Sequence, residues 1–380
     1  MLKPFILGLR SSQPHAPFMS TEELYSLVGH NTGNLAFHYA IGRHIGDTLS
    51  VADWGAHPDE IDACGDIAVL PCANQLGPHA DLGNLVEKFV NIKAKMVAIG
   101  LGAQGDLSGN LPNVPNGTVA WVRSLIDHSP ADFPNIGVRG EFTLNVLEGL
   151  GISGSAVVLG CPTLFINPSI ELGRIISEKV REPSRIAVAA GHHRWRHLAK
   201  LEASLTALAK ATGGSYIGQS PLEMVKLTRG EAPQLSEEDV AACRDYACPE
   251  MSIGEFVDWT ARAGNVFFDV PSWMEHYRRF DFVIGTRIHG VMLALQAGVP
   301  ALCIAHDSRT LELCQTMKVP YVLSKDVVGG IHRNDLLRLF QFDPDEFDAN
   351  RRMLARRYVD FLKNNQLQPV DWLEGIAAAG

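Results

Sequence analysis

Three arginines and a histidine of this chain fall where apolar runs stop. NIGVR closes on Arg139, FVIGTR on Arg287 with His289 two residues on, and ALCIAHDSR on His306, Asp307 and Arg309. Guanidinium groups recognise carboxylate and phosphate through paired hydrogen bonds. A histidine can move protons near neutral pH. Together they suit acid–base chemistry on a small anion. In an extended turn residues i and i+2 face one side, so Arg287 and His289 share a direction. The helix that opens near His289-Gly290 adds free N–H groups and the positive end of its dipole. Purely structural roles compete: Arg287 could bridge carboxylates, His289 could be a satisfied helix-start residue, and Arg139 alone is undecided.

The elements that must position these residues are read from hydrophobic periodicity. Strands are predicted at 5–9, 67–73, 96–102, 135–139 and 156–162, with helices at 34–45, 82–93, 118–128 and 141–151 between them. A second series runs from a strand at 185–191 through a helix at 194–213 and a strand at 215–218. It continues with a helical region over about 221–263, a strand at 265–270, a helix at 272–280, the FVIG and ALCIA strands, and a last amphipathic helix at 347–365. Continuous apolar strands imply sheets covered on both faces, the parallel α/β arrangement. The expected architecture is two Rossmann-like doubly wound domains facing across a cleft. The first spans 1–168, a connecting segment 169–184, the second domain 185–345, and a C-terminal helix over 346–380 closes back on the fold. Ligands in such sheets bind at the carboxyl ends of the strands, where the arginines lie.

Composition narrows the function classes. With 33 basic and 42 acidic residues the net charge is −9. No Lys/Arg run suggests a nucleic-acid patch, so no nucleic-acid partner is expected. Seven cysteines without a CxxC pair read as free thiols in a reducing compartment rather than a zinc site. No apolar h-region or membrane-length span is legible. The expectation is a cytoplasmic protein without metal or cofactor. Contact with the inner face of the cytoplasmic membrane is compatible with it. Arg351, Arg352, Arg356 and Arg357 form a basic stretch that reads chiefly as a solvated helix face.

The pattern D-x-V-I-G-x-R-x-H-G over Asp281–Gly290, then A-x-x-x-G-V-P over Ala294–Pro300 and the polar turn His306–Arg309, resembles the polysaccharide pyruvyl transferase family. NTGNLA (31–36), AIGLGAQG (98–105), GVRGEFTLNVLEGLG (137–151) and VVLGCPTL (157–164) resemble earlier segments of that family in the same order. The resemblance implies a two-domain, GT-B-like fold. It also implies transfer of the pyruvyl group of phosphoenolpyruvate onto a sugar of a cell-surface polysaccharide or its lipid-linked precursor. Donor-binding residues would be Arg139, Arg287 and Arg309, with His289 as acid/base. Asn31, Gly33, Asn34, Gly102, Gln104, His193 and Trp195 would lie toward the acceptor or the cleft. The chain departs from the family pattern at three positions: Asn34 and Cys161 stand where Asp is usual, and Arg309 where Lys is common. In AGHHRWRH (190–197), His193 and His197 would share a helical face, and Trp195 could stack on a sugar. Two rivals are a glycosyltransferase using a nucleotide sugar, against which Gln296 stands where a ribose-binding acid is common, and a non-catalytic member of the family.

Overall fold

The computed structural model describes residues 2–46, 49–105, 107–152 and 154–379. Six strands form the first sheet: β1 (Pro4–Leu7), β2 (Val51–Ala52), β3 (Ile67–Pro71), β4 (Lys95–Leu101), β5 (Ile136–Val138) and β6 (Ala156–Val158). Six more form the second: β7 (Ile186–Ala189), β8 (Ser215–Ile217), β9 (Gly264–Asn265), β10 (Phe282–Gly285), β11 (Ala301–Ala305) and β12 (Tyr321–Leu323). Their orders are β2-β1-β3-β4-β5-β6 and β12-β11-β10-β7-β8-β9. All neighbouring strands pair in parallel. Counted within its own half, the second sheet runs 6-5-4-1-2-3, the Rossmann order, whose direction reverses between β7 and β10. β3, β7, β10 and β11 are buried along their whole length. That is why the sequence shows them as unbroken apolar runs. Two Rossmann-like sheets, each covered by helices, make this a GT-B-like α/β fold.

Several boundaries differ from the sequence reading. The strand expected at 265–270 shrinks to β9, because Asp269 caps the helix Val270–Tyr277 through Ser272 N at 2.9 Å. The helix expected from 194 starts only at Ala199. Trp195 is non-helical there, so His193 and His197 do not share a helical face. The helical region near 221–263 is three helices, Leu222–Thr228, Glu237–Ala247 and Ile253–Ala263. β2, β12 and the helices Thr21–Leu27 and Asp371–Ala378 were not anticipated.

The N-terminal segment leaves the first sheet and docks on the second half. Gln13 N donates to Phe268 O at 3.0 Å, Ser12 Oγ to Asp269 Oδ1 at 3.0 Å, and Thr21 Oγ1 to Glu231 Oε2 at 2.6 Å. Lys226 pairs with Glu22. The helix Pro344–Asn364 packs back over the first half, where His44 Nδ1 lies 3.3 Å from Tyr358 Oη and Asn365 Nδ2 donates to Pro134 O at 2.9 Å. Arg351 does not belong to a solvated face. It is fully buried, and its guanidinium donates to the carbonyls of Leu164, Asn167 and Ser169. No helix among the described residues is long and apolar enough to cross a membrane.

Candidate active site

In the second half, β10 ends at Gly285 and the chain turns through Thr286 and Arg287 into the helix Ile288–Gln296. Arg287 is extended (φ −102°, ψ 103°) at the helix start, and His289 occupies the first helical turn. Gly290 lets this helix start against β7. A Cβ there would lie 2.7 Å from Ala189 Cβ and 2.8 Å from Gln219 Nε2. The Arg287 guanidinium donates to Ser220 Oγ and sits 4.7 Å from the centroid of the Trp195 ring. Trp195 also packs on His306, with centroids 4.4 Å apart, and on His192 at 5.6 Å. After β11, Asp307 caps the helix Ser308–Met317 through Thr310 N at 2.8 Å and pairs with Arg309 Nη2 at 3.0 Å.

The first half supplies Arg139 from the end of β5. Its side chain is buried, donating from Nε to Gly100 O at 2.9 Å and from Nη2 to Cys72 O at 3.4 Å. Gly102 is required beside it, since a Cβ at that position would lie 2.7 Å from Arg139 Cδ. The loop 31–34 closes the other side. Asn31 Oδ1 accepts from Gly33 N at 3.0 Å, and Thr32 N donates across the cleft to Gln219 O at 3.1 Å. Asn34 Nδ2 donates to the carbonyls of Val28 at 3.0 Å and Gly29 at 3.1 Å. A carboxylate could not make either bond, which accounts for asparagine here.

These groups meet in one cavity, walled by Arg139, Arg287, Arg309, His289, Gln219 and the Asn31/Asn34 loop, with Asn74 and Thr286 at its sides. Arg287 Nε, Arg309 Nε, Gln219 Nε2 and Thr286 Oγ1 are buried without a hydrogen-bond partner among the described residues. Buried donors normally find partners, and these four at the cavity and its edge suit an anionic ligand. Burial, then Arg309, pulls Arg287 down to about 10, still a cation at neutral pH. Burial, then Arg139 and Arg309, holds His289 well below the usual histidine range. His192 and His306 are pushed down to about 4, chiefly by burial. The resting site therefore combines cationic arginines with neutral imidazoles. A larger cavity lies beyond the Ser308–Gly105 hydrogen bonds, against Glu141, Phe142, Glu312 and Gln315. It touches none of the three arginines or His289.

Of the residues singled out in the sequence, Arg139, Arg287, His289, Arg309, Asn31 and Asn34 line the cavity. Gly33 backs onto it, where a Cβ would lie 2.7 Å from Gln219 Oε1 and 3.5 Å from His289 Cβ. Gln104 stands one layer out, bonded to Asn74. The ring of Trp195 is engaged by Arg287 and His306. His193 turns away, its Nδ1 lying 3.6 Å from Cys243 Sγ; its neighbour His192 is the one that approaches Trp195. Sequence reasoning passed over Asn74, Gln219, Ser220 and His192. All four follow the carboxyl ends of strands, β3, β8, β8 and β7 respectively, so the strand-end criterion that found the arginines would have found them.

The family model for polysaccharide pyruvyl transferase matches residues 9–308. The chain belongs to that family. The family is one of transferases, and the matched range contains every cavity residue named above except Arg309, which follows it directly. No curated protein matches the sequence. Among solved structures, the chain is similar to S. aureus MnaA in its co-structure with UDP (12% identity, TM-score 0.44, 98% of this chain and 100% of that one). It is also similar to the UDP-GlcNAc 2-epimerases of Methanocaldococcus jannaschii (10%, TM-score 0.42, 94% and 99%) and Neisseria meningitidis (9%, TM-score 0.42, 94% and 99%).

Proposed function

We propose that this pyruvyl transferase takes phosphoenolpyruvate as its donor and a sugar of a cell-surface polysaccharide, or of its lipid-linked precursor, as its acceptor. The observation that carries the reading is the convergence of Arg139, Arg287 and Arg309 on His289, with Asp307 paired to Arg309. Phosphoenolpyruvate bears a carboxylate and a phosphate, and three guanidinium groups match both. Arg287 and Arg309, one on each strand end of the second half, are assigned to the phosphate, and Arg139 to the carboxylate. The bound anion offsets the arginines that hold His289 low, so the imidazole can take up a proton. The imidazolium then delivers a proton to the methylene carbon, and positive charge develops at C2. A sugar hydroxyl adds to C2 and gives up its own proton. Loss of inorganic phosphate then leads to a ketal if a second hydroxyl closes on C2, or to an enol ether if C3 loses a proton. The arginines stabilise the departing phosphate. No cofactor takes part in these steps. A lipid-linked acceptor would be met at the inner face of the cytoplasmic membrane.

The nucleotide-sugar alternative is disfavoured by Gln296. It is buried, and its Oε1 accepts from Asn167 N at 2.9 Å, a link to the end of the first half rather than a ribose contact. Calorimetric titration with phosphoenolpyruvate, with UDP-sugars in parallel, tests the reading. Saturable binding of phosphoenolpyruvate alone is expected; binding of a UDP-sugar alone would overturn it.

A further inference from the structure

His289 has neighbours besides the arginines. Its Nε2 lies 3.7 Å from Cys161 Sγ, and the ring of Phe37 packs on it with centroids 5.2 Å apart. Cys161 follows β6 and is buried, as is Thr163, whose Oγ1 donates to the same sulfur over 3.1 Å. With that hydroxyl donating to the sulfur, the thiol hydrogen is free to point at Nε2. A carboxyl group is usual at this position in the family pattern; a thiol changes what the imidazole is leaning on.

We propose that Cys161 is a positioning residue for His289: its neutral thiol donates to Nε2 and leaves Nδ1–H as the group presented to the ligand cavity. The catalytic side of this inference rests on the reading of His289 as the acid/base residue; the tautomer does not. Burial pushes the Cys161 thiol up, outweighing the opposite pull of Arg139, so the sulfur keeps its proton at neutral pH. The charged and titratable groups that act on His289 are Arg139 after β5, Arg309 at the start of the helix Ser308–Met317, Arg287 on the β10 turn and His38 on the helix Asn34–Ile45. None of these supplies a negative charge to an imidazolium, and a neutral thiol does not either. A carboxylate at 161 would. Protonating a methylene carbon calls for a strong acid, and an imidazolium backed by sulfur releases its proton more readily than one backed by a carboxylate. The thiol can serve both states of the ring, donating weakly to the neutral Nε2 and accepting weakly from Nε2–H.

The test combines ¹⁵N spectra of the imidazole-labelled full chain with the pH dependence of kcat and of KM for phosphoenolpyruvate, in wild type and in Cys161→Ser, Cys161→Ala and Cys161→Asp. Wild type should show His289 as the Nδ1–H tautomer at neutral pH, and Cys161→Ser should keep it. Cys161→Ala should lower kcat about tenfold or more with KM for phosphoenolpyruvate unchanged. Cys161→Asp should move both the His289 titration and the alkaline limb of kcat, where a proton donor is lost, upward by about one pH unit or more. An Nε2–H tautomer in wild type, or a Cys161→Asp protein that folds and titrates like wild type, would overturn the inference. A wild-type chain that turns over no phosphoenolpyruvate would sink the functional reading instead, and the spectra would still decide the role of Cys161.

Discussion

Two arginines of this protein are almost wholly withdrawn from water, and they sit in opposite kinds of surroundings. Arg351, on the long C-terminal helix, has each guanidinium nitrogen matched to a main-chain carbonyl of the segment 164–169. Arg139, at the end of β5, is held by the carbonyls of Gly100 and Cys72 and forms part of the wall of a cavity it shares with Arg287, Arg309 and His289. Burial lowers the pKa of both. What separates them is the supply of acceptors. A guanidinium saturated by carbonyls joins two pieces of chain, whereas one that faces other cations across a cavity is the kind our proposal gives to an anion.

The strongest way to sharpen that contrast is at the cavity's centre. His289→Ala should lower the rate of pyruvyl transfer by about a thousandfold while leaving the affinity for phosphoenolpyruvate within a few-fold, as read by initial rates and calorimetry. A variant with normal turnover would remove His289 from the chemistry. Next come the two arginines themselves. Arg139→Met should weaken phosphoenolpyruvate binding by about a hundredfold, since it removes a charge-assisted bidentate partner. Arg351→Met should leave affinity alone and cost about 3 kcal/mol of unfolding free energy, because several buried carbonyls lose their donor. Equal losses of affinity in the two variants would break the comparison.

A smaller effect is expected where an aromatic ring steadies a cation. Trp195→Leu removes the surface under Arg287 and should weaken donor binding about tenfold, in line with a partly desolvated cation–π contact. Acid stability gives the mildest test. His44, in the aromatic cluster of Phe165, Tyr358 and Trp372 beside the C-terminal helix, is pushed down to about 3 by burial. His38, near the cleft, is pushed down to about 4. Each is neutral in the fold and takes a proton in the unfolded chain near its ordinary pKa. Their contribution is therefore fully present above about pH 6.5 and is lost as pH falls toward about 3 for His44 and about 4 for His38. His44→Phe should shift the acid-unfolding midpoint to lower pH without changing donor affinity. An unchanged midpoint would show that His44 is not among the groups that set it.

How much of this was visible in the sequence follows from burial. β3, β4, β7, β10 and β11 are long or covered on both faces, and their apolar runs announced them. β2 has two residues and β12 three half-buried ones at a sheet edge, too short to leave a period. The helix Thr21–Leu27 did carry a signal, the capping box of Ser20 and Glu23, which is a pattern of caps rather than of hydrophobic spacing. Arg139, Arg287, His289 and Arg309 were legible because a charge ending an apolar strand is conspicuous. Asn74, Gln219 and Ser220 end strands just as squarely, but uncharged side chains do not stand out there. The bend at Trp195 that keeps His193 and His197 off one helical face was not legible, because the ring there packs on Arg287 and His306, which arrive from some 90 residues and more further along the chain.

The N-terminal segment that crosses onto the second half has a consequence for anyone recombining these proteins. Residues 12–32 belong by chain order to the first sheet, yet Ser12, Gln13, Thr21, Glu22 and Thr32 find their partners on Asp269, Phe268, Glu231, Lys226 and Gln219. A chimera cut cleanly between the sheets would therefore pair one parent's N-terminal segment with the other parent's docking surface. The natural unit of exchange includes that segment, so a functional hybrid would need two crossover points, one on either side of it, besides the one between the sheets.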